Sequence, residues 1–326
     1  MIEPNVVKVP FRKLKHIHHI SDIQIRNLKR HKEYEEVFDR TYEEVRKNKD
    51  NAVAYIGGDI AHSKTDMSPE LIDQLSRLFK NLADICPTII IAGNHDCNLN
   101  NRSRMDCLSP IVDNLKHPNL HYLKDTGVYK CADVSFVVWD VWDKEKDYIK
   151  AKDVEGDTKV VLYHGTVDQA RTDLGFKLPS KVKINLFNGY DLGLLGDIHK
   201  RQFLNEEETI AYPGSLIQQN YAEEPSHGFL LWDLETKKAE YHPVKNDYGF
   251  KIISINMDTP RSMSKVKKYV KSSKYLFEVF QDPKMDVFRK LGGSIMPFVV
   301  IADNKGNIVN KHIGYNLGDE KSLEEE

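Results

Sequence analysis

Residues 89–96, with the sequence Ile-Ile-Ile-Ala-Gly-Asn-His-Asp, decide how the chain is organised. The apolar run follows Pro87 and ends at a glycine, which predicts a core strand of an α/β sheet. Because functional sites commonly lie at the carboxyl ends of such strands, the polar residues that follow are candidates for chemistry. Asn94 can ligate a metal through its carboxamide, His95 can move a proton, and the Asp96 carboxylate can orient that histidine.

Predicted strands and helices alternate on both sides of this motif. Residues 14–20 predict a strand that ends just before Asp22, and residues 32–47 place apolar side chains at helical spacing. Residues 51–60 predict a second strand, and a helix is predicted to begin at Ser68-Pro69. This alternation predicts a layered α/β sheet. Further strands are predicted at 134–141, 159–163, 191–195, 210–215 and 228–234, and a polar loop at 98–119.

The composition is that of an ordinary globular protein. The chain has 326 residues, of which 40% are hydrophobic and 29% charged, and its formal net charge is −2. This charge predicts no strong general attraction to polyanions, so nucleic-acid binding would require local patches. We recognise no secretory signal and no membrane-spanning run, and the four cysteines form no Cys-x-x-Cys pair. We therefore expect a cytoplasmic protein that does not bind membranes.

Six potential metal ligands fall at predicted strand ends and would converge on one edge of the sheet. A set of oxygen and imidazole donors without thiolate favours Mn²⁺ or Mg²⁺ over structural zinc. Asp59 could bridge two ions about 3.5–4 Å apart, an arrangement suited to phosphoester hydrolysis in which His95 protonates the leaving oxygen or holds the phosphate. Any one of these residues could instead be a turn former. The six are Asp22, Asp59, Asn94, His164, Asp197 and His199.

The ordered motifs Asp-x-Gln, Gly-Asp, Gly-Asn-His-Asp, His-Gly and Gly-Asp-x-His resemble those of the calcineurin-like metallophosphoesterases. Residues 196–200, 212–219 and 227–228 further resemble the SbcD-type DNA-repair nucleases, especially phage-encoded versions. The resemblance covers about residues 14–248, and we assign 1–248 to this domain. It implies a β-sandwich flanked by helices, with two metal ions bound at the strand ends, and a location in the host cytoplasm if a phage encodes the chain.

The resemblance also implies a role for individual residues. Asp22, Gln24, Asp59 and His199 would surround the first ion. Asp59, Asn94, His164 and Asp197 would surround the second, with His95 as the catalytic histidine assisted by Asp96. Two positions differ from the family pattern, because Gln24 and Asp197 stand where histidines are usual.

The implied partners are DNA, an SbcC-type coiled-coil ATPase and a second copy of the chain. Arg102 and Arg104 follow the Gly-Asn-His-Asp turn closely, and their loop could either contact phosphates or be simply solvated. Lys200 and Ser215 lie within the segments that resemble the nucleases, and we add them as candidate DNA contacts.

Residues 249–326 form a different segment. Strands are predicted at 250–258, 276–280 and 294–301, helices at 262–274 and 285–291, a hairpin strand at 308–313 and a final helix after it. The order resembles the second half of a TlpA-type thioredoxin-like domain, with Met296-Pro297 at that family's cis-proline position. A redox function is excluded because this segment has no cysteine. Half a fold predicts unpaired apolar sheet surface.

The working hypothesis is a metal-dependent DNA exonuclease or endonuclease subunit of a repair or recombination complex. The same ligands would equally serve a phosphatase or phosphodiesterase acting on a small molecule or a protein. A third alternative is a catalytically weak subunit that binds DNA or the ATPase and has lost the first metal ion because of Gln24. The number of bound ions would discriminate between an enzyme and this binding role.

Overall fold

The computed structural model describes residues 3–172, 175–220, 223–273, 278–303 and 305–314. The chain divides into two compact units. The first contains the described residues up to 219 together with 223–247, and the second contains residue 220 and the described residues from 248 onward. Among the described residues, no helix combines the length and the apolar character that a membrane crossing would require.

The first unit contains thirteen strands in two mixed sheets. In chain order the strands are β1 (Asn5–Val7), β2 (His16–Ile20), β3 (Ala52–Ile56), β4 (Thr88–Ile90), β5 (Leu120–Tyr122), β6 (Gly127–Cys131), β7 (Val134–Trp139), β8 (Thr158–His164), β9 (Leu192–Gly196), β10 (Gln202–Phe203), β11 (Ile210–Tyr212), β12 (Gly228–Asp233) and β13 (Lys238–Pro243). The six-stranded sheet has the order β13-β12-β2-β3-β4-β5, and the seven-stranded sheet has the order β1-β6-β7-β8-β9-β11-β10. Parallel pairs join β2 to β5 in the first sheet, and β7, β8, β9 and β11 in the second, where β1 also pairs with β6 in parallel. The remaining pairs, β13 with β12, β12 with β2, β6 with β7 and β11 with β10, are antiparallel.

The alternation of side chains along the strands builds separate cores on the two faces of each sheet. In β3, Val53 and Tyr55 pack in a cluster with residues of β7 and β8, so this cluster joins the two sheets. Ala54 and Ile56 point the other way and belong to a cluster with the helices. A third cluster, which contains Trp139, covers the outer face of the seven-stranded sheet. The predicted β-sandwich flanked by helices is confirmed.

Three helices accompany these sheets: α1 (His31–Lys47), α2 (Pro69–Ile85) and α3 (Ser109–Leu115). The predicted start of α2 is confirmed, because the Ser68 side chain accepts a hydrogen bond from the Leu71 backbone N–H and Pro69 is the first helical residue. The prediction of a continuous polar loop at 98–119 was wrong. The Asp106 carboxylate accepts hydrogen bonds from the backbone N–H groups at 108 and 109 and starts α3 within it. Short 3₁₀ turns occupy Glu145–Asp147, Ala151–Asp153 and Ile184–Phe187.

The second unit consists of short strands and helices: β14 (Ile253–Asn256), α4 (Met263–Ser273), β15 (Glu278–Gln281), α5 (Asp286–Lys290), β16 (Phe298–Ala302) and β17 (Ile308–Ile313), with a 3₁₀ turn at Pro260–Ser262. β14 pairs with β15 in parallel, β16 pairs with β17 antiparallel, and the Met296-Pro297 peptide is cis. Ile253, Phe280 and Met296 are each at least half exposed. The thioredoxin-like assignment stays a prediction, and the expected final helix lies outside the described residues.

Candidate metal centre

The predicted ligands follow the carboxyl ends of five strands in the two sheets. Asp22 follows β2, Asp59 follows β3 and Asn94 follows β4, while His164 ends β8 and His199 follows β9. Ligand atoms of Asp22, Asp59 and His164 lie within 4.8 Å of one another, and all three residues are buried. Burial of two carboxylates is costly unless cations compensate them, so this cluster requires positive charge nearby.

The loops after β2 and β3 run side by side and hold this cluster together. The Asp22 N–H donates to the Gly58 carbonyl at 3.2 Å, and the Gln24 N–H donates to the Asp59 carbonyl at 2.9 Å. Asp22, Gln24 and Asp59 all have φ near +50°, a conformation that non-glycine residues seldom adopt. This strained backbone at three predicted ligands is typical of functional sites.

Two glycines allow the close approach of these loops. A Cβ atom at Gly93 would collide with the backbone and the carboxylate of Asp59. Gly58 has φ +91°, and a Cβ there would lie 2.6 Å from His164 Nδ1. Glycine is therefore required at both positions for the centre to close.

The His164 ring shows that this group of side chains suits a cation. Its Nδ1 lies 2.7 Å from the Gly57 carbonyl oxygen, which can only accept, so Nδ1 is the donor. Its Nε2 then faces Asn94 Oδ1 at 3.1 Å and Asp59 Oδ1 at 3.3 Å. Three acceptor atoms that converge in this way need a proton or a metal ion between them, so the residues fit a divalent ion.

The pKa values of His164 and Asp22 also indicate that the cluster needs positive charge. Burial alone would lower the pKa of His164, but the charge of Asp59 and its hydrogen bond outweigh burial and raise it. Burial raises the pKa of Asp22 to about 6 against the lowering effect of His164. Without a metal the protonated imidazole balances the carboxylates, and a bound ion would displace that proton.

His95 lies beside the cluster with 36% of its side chain exposed, and its Nε2 is 3.9 Å from Asp59 Oδ2. The expectation that Asp96 orients this ring was wrong. The Asp96 carboxylate accepts hydrogen bonds from the backbone N–H groups of Ile60, Ala61 and Gly93, and so ties the loop after β3 to the turn after β4. His95 Nδ1 instead donates to the His62 carbonyl at 2.6 Å. A proton for a substrate would therefore be carried on Nε2.

The His199 ring is held by a residue that the sequence did not reveal. Its Nδ1 lies 2.7 Å from Glu223 Oε1, and its Nε2 lies 3.0 Å from Gln24 Nε2 and 4.0 Å from Asp22 Oδ1. A carboxylate behind a ligating imidazole fixes its tautomer and its orientation. We call Asp22, Gln24 and His199 the His199 side of the centre, and Asp59, Asn94 and His164 the His164 side.

Asp197 lies next to both sides but its carboxylate is already engaged. Its Oδ2 accepts a 2.6 Å hydrogen bond from the Thr166 hydroxyl, while its backbone N–H donates to both carboxylate oxygens of Asp22 at 3.1 Å. Its φ of +101° is a further strained backbone angle at the centre. The structure therefore brings Asp197 to the predicted place, where its backbone positions Asp22.

Three of the four candidate DNA contacts are occupied within the protein. Arg102 contacts the carboxylates of Asp125, Asp140 and Asp143 at 2.7–3.3 Å, which makes it a loop anchor. Ser215 is buried and lies 3.0 Å from His227 Nδ1, so its hydroxyl does not face solvent. Lys200 Nζ donates to the Thr172 carbonyl at 3.2 Å. Arg104 is exposed on the surface of the loop.

Two residues of the centre, His62 and Glu223, are not indicated by any sequence motif. His62 is half-buried beside His95, with ring centroids 5.5 Å apart, and its Nδ1 lies 3.1 Å from Gln24 Oε1. Burial and the charge of Arg26 lower the pKa of His62 to about 4. His62 could have been noticed as the histidine three residues after Asp59, whereas Glu223 carries no local signal.

A buried carboxylate–imidazole cluster at the strand ends of a two-sheet sandwich defines a metal-dependent phosphoesterase site. The chain belongs to the calcineurin-like phosphoesterase family, whose model matches residues 15–206. Members of this family use divalent metal ions to hydrolyse phosphoesters, so we conclude that this centre serves metal-dependent phosphoester hydrolysis.

Two viral proteins are similar to the chain. The uncharacterised protein R555 of Acanthamoeba polyphaga mimivirus is 45% identical over 257 residues, which cover 74% of this chain and 19% of R555. Protein 244L of Invertebrate iridescent virus 6, whose name gives phosphoesterase as a candidate activity, is 22% identical over 263 residues, or 72% of this chain and 86% of 244L. The chain thus spans less than a fifth of the length of R555.

Proposed function

We propose that the chain hydrolyses phosphodiester bonds of DNA as the nuclease subunit of a repair or recombination complex. The observation that carries the proposal is the buried cluster of Asp22, Asp59 and His164 with the half-exposed His95 beside it. The choice of DNA among phosphoesters is supported by the resemblance of residues 196–200, 212–219 and 227–228 to SbcD-type nucleases. An SbcC-type ATPase partner, a dimer and a cytoplasmic location are further parts of this proposal.

In this proposal the chain would hold two divalent ions. Mn²⁺ is expected first and Mg²⁺ second, because the donors are oxygens and imidazole nitrogens. Bound ions would supply positive charge to the phosphate oxygens and lower the pKa of the attacking water. The residues proposed to hold them are Asp22, Gln24, Asp59 and His199 on one side, and Asp59, Asn94, His164 and Asp197 on the other.

His95 is proposed to act on the leaving group. Its Nδ1 is committed to the His62 carbonyl, so a protonated ring presents Nε2–H at the mouth of the cluster. From there it can protonate the leaving oxygen or hold a phosphate oxygen. Asp96 supports this step at a distance, because its carboxylate fixes the turn that carries His95.

The test is hydrolysis of a linear, end-labelled duplex DNA with Mn²⁺, run alongside p-nitrophenyl phosphate and a His95→Ala variant. We expect the wild-type chain to cleave DNA and the variant to lose this cleavage. Turnover of only the small ester would replace the proposal with a phosphatase. No turnover of either substrate, with the chain folded and metal bound, would leave a binding subunit.

A further inference from the structure

Arg26 is a cation beside the centre whose hydrogen-bonding groups are largely unused by the described part of the chain. It follows the predicted ligand Gln24 by two positions and is partly buried. Within the described ranges its guanidinium makes one hydrogen bond, from Nη2 to the Gln219 carbonyl at 3.4 Å. Its Nε is buried and has no hydrogen-bond partner there. Because a guanidinium carries five N–H donors, most of its capacity remains for a ligand.

The contacts around Arg26 place it at the edge of the His199 side. The backbone N–H of His62 donates to the carbonyl of the residue before Arg26 at 3.0 Å, and the charge of Arg26 is close enough to act on the His62 ring. The backbone N–H of Gln219 donates at 2.8 Å to Glu223, the residue whose carboxylate holds His199. The guanidinium is therefore next to the centre.

Arg26 nevertheless lies outside the cluster of metal ligands. Among the described residues it forms no ion pair with Asp22 or Asp59, and its one hydrogen bond leads to the Gln219 backbone. A phosphate held by ions in the cluster would therefore not be the group that this arginine binds. The group within its reach would be a second phosphate of the same substrate.

Other arginines of the chain show how the protein neutralises this side chain when it has no ligand to bind. Nε and Nη2 of Arg30 donate to the two carboxylate oxygens of Glu33 at 2.7 Å each. Arg77 contacts Glu35 and Asp73 at 2.7 and 2.9 Å. Phosphate presents paired oxygens as a carboxylate does, so the guanidinium fork binds either group.

We propose that Arg26 binds a phosphate of the DNA strand next to the phosphate that is hydrolysed, so that the centre selects polynucleotides over esters with a single phosphate. This inference rests on the proposed function, because it takes DNA to be the substrate. Turning toward a phosphate would cost Arg26 only its long bond to Gln219 and would give shorter, charge-assisted bonds in return. Phosphates carry no base information, so we expect this selection to be independent of sequence.

The test compares two competitors of the Mn²⁺-dependent hydrolysis of bis-p-nitrophenyl phosphate by the full chain. Thymidine 5′-monophosphate carries one phosphate, whereas a single-stranded oligothymidylate carries several. An oligonucleotide competes whether or not it is cleaved, so the assay does not depend on nuclease activity. We expect the oligothymidylate to bind more tightly in the wild-type chain, and Arg26→Gln to reduce this advantage by about 10–100-fold, the usual effect of losing a hydrogen-bonded charge.

Two further variants separate a phosphate contact from a folding defect, which thermal unfolding would also reveal. Arg26→Lys keeps the charge without the fork, so it should recover part of the advantage. Arg77→Gln, the same substitution at a neutralised surface arginine, should leave it unchanged. The dependence of oligothymidylate binding on salt is an independent readout, because Arg26→Gln should lower its logarithmic slope by about 0.7.

An advantage that stays the same in Arg26→Gln would overturn the inference, and so would a salt dependence equal to that of the wild-type chain. An oligothymidylate that competes no better than the monophosphate in the wild-type chain would overturn both this inference and DNA as the substrate. Competition that depends on Arg26, by an oligonucleotide that is never cleaved, would support the phosphate contact and overturn only the proposed nuclease activity.

Discussion

The His164 side and the His199 side of the centre are assembled from the same chemical groups, carboxylate, carboxamide and imidazole, yet their imidazoles are held differently. On the His164 side Nδ1 is fixed by the Gly57 carbonyl, and Nε2 faces oxygens of Asn94 and Asp59. On the His199 side Nδ1 is fixed by the Glu223 carboxylate, and Nε2 lies 3.0 Å from the Gln24 amide nitrogen. Two sites built from the same residue types therefore differ in the group that orients the ligating ring, which is a backbone carbonyl on one side and a carboxylate on the other.

The largest expected effect comes from the residue proposed to serve both sides. Asp59→Asn should abolish metal-dependent hydrolysis, a loss larger than the about 10³-fold that follows removal of one electrostatic stabiliser. The reason is that Asp59 contacts His164 and lies within 4.8 Å of the Asp22 ligand atom. The measurement is the initial rate with Mn²⁺ together with the number of bound ions.

The matched control for this change is Asp73→Asn, which removes an exposed carboxylate that pairs with Arg77 on the surface of α2. Its rate should equal that of the wild-type chain. Two tightly bound ions in Asp59→Asn would contradict the shared role and with it the comparison of the two sides.

His95→Ala should lower hydrolysis by about 10²–10⁴-fold, the usual contribution of a general acid. The ring lies outside both sides of the centre, so metal binding should be unchanged. Rates and calorimetric affinities measured on the same preparation separate these two effects. The control is His117→Ala, which changes a histidine on the turn between α3 and β5. Weaker ion binding in His95→Ala would show that His95 acts through the metal site.

Glu223→Gln tests the support of the His199 side alone. Loss of such an outer carboxylate lowers metal affinity by about 10–100-fold, and we expect this loss for the ion on the His199 side only. The rate at saturating Mn²⁺ should recover, which a general folding defect would not permit. Glu223→Asp should recover part of the affinity, and an equal loss for both ions would show that Glu223 does not distinguish the two sides.

The smallest expected effect is on the pH dependence of stability, and it comes from the buried His19. The Nε2 atom of His19 lies 3.0 Å from the carbonyl oxygen of Leu195, a residue of β9 in the other sheet. Burial lowers the pKa of His19 to about 3 and that of His18 to about 4. Both histidines have lower pKa values in the folded chain than the value of about 6.5 in the unfolded chain. The stability that their neutral forms contribute is therefore fully present above pH 6.5 and is lost as the pH falls toward 3. Each histidine contributes about 1.4 kcal/mol per pH unit in this window.

Urea unfolding at pH 7 and pH 5 measures this loss directly. His19→Gln, which cannot titrate, should remove the share of one histidine from the pH dependence of the unfolding free energy, about 1.4 kcal/mol per pH unit below pH 6.5. A pH dependence unchanged in the variant would exclude His19 as its source.

Local sequence predicted the strand ends well but not the contacts that distinguish the two sides. The apolar runs before Asp22, Asp59 and Asn94 indicated strands, and the structure places these residues at neighbouring strand ends as expected. The Gln24–His62 contact spans 38 positions and the His199–Glu223 contact spans 24. Both depend on loops with left-handed backbone angles, which no periodicity reveals.

The misassigned residues have a similar explanation. The sequence shows that Arg102 is charged but not that three distant carboxylates surround it. Asp96 was paired with His95 because the two are adjacent, whereas the turn directs its carboxylate toward backbone N–H groups. The half-exposed edge strand Lys238–Pro243 escaped prediction because its residues include few β-branched or aromatic side chains.

The most direct measurement is anomalous diffraction at the manganese edge from crystals of the full chain grown with limiting Mn²⁺. We expect one peak beside His164, Asp59 and Asn94 and a second beside His199 and Asp22, each growing with the Mn²⁺ concentration. The absence of a peak at both sides would show that these strand ends do not form a divalent-metal centre.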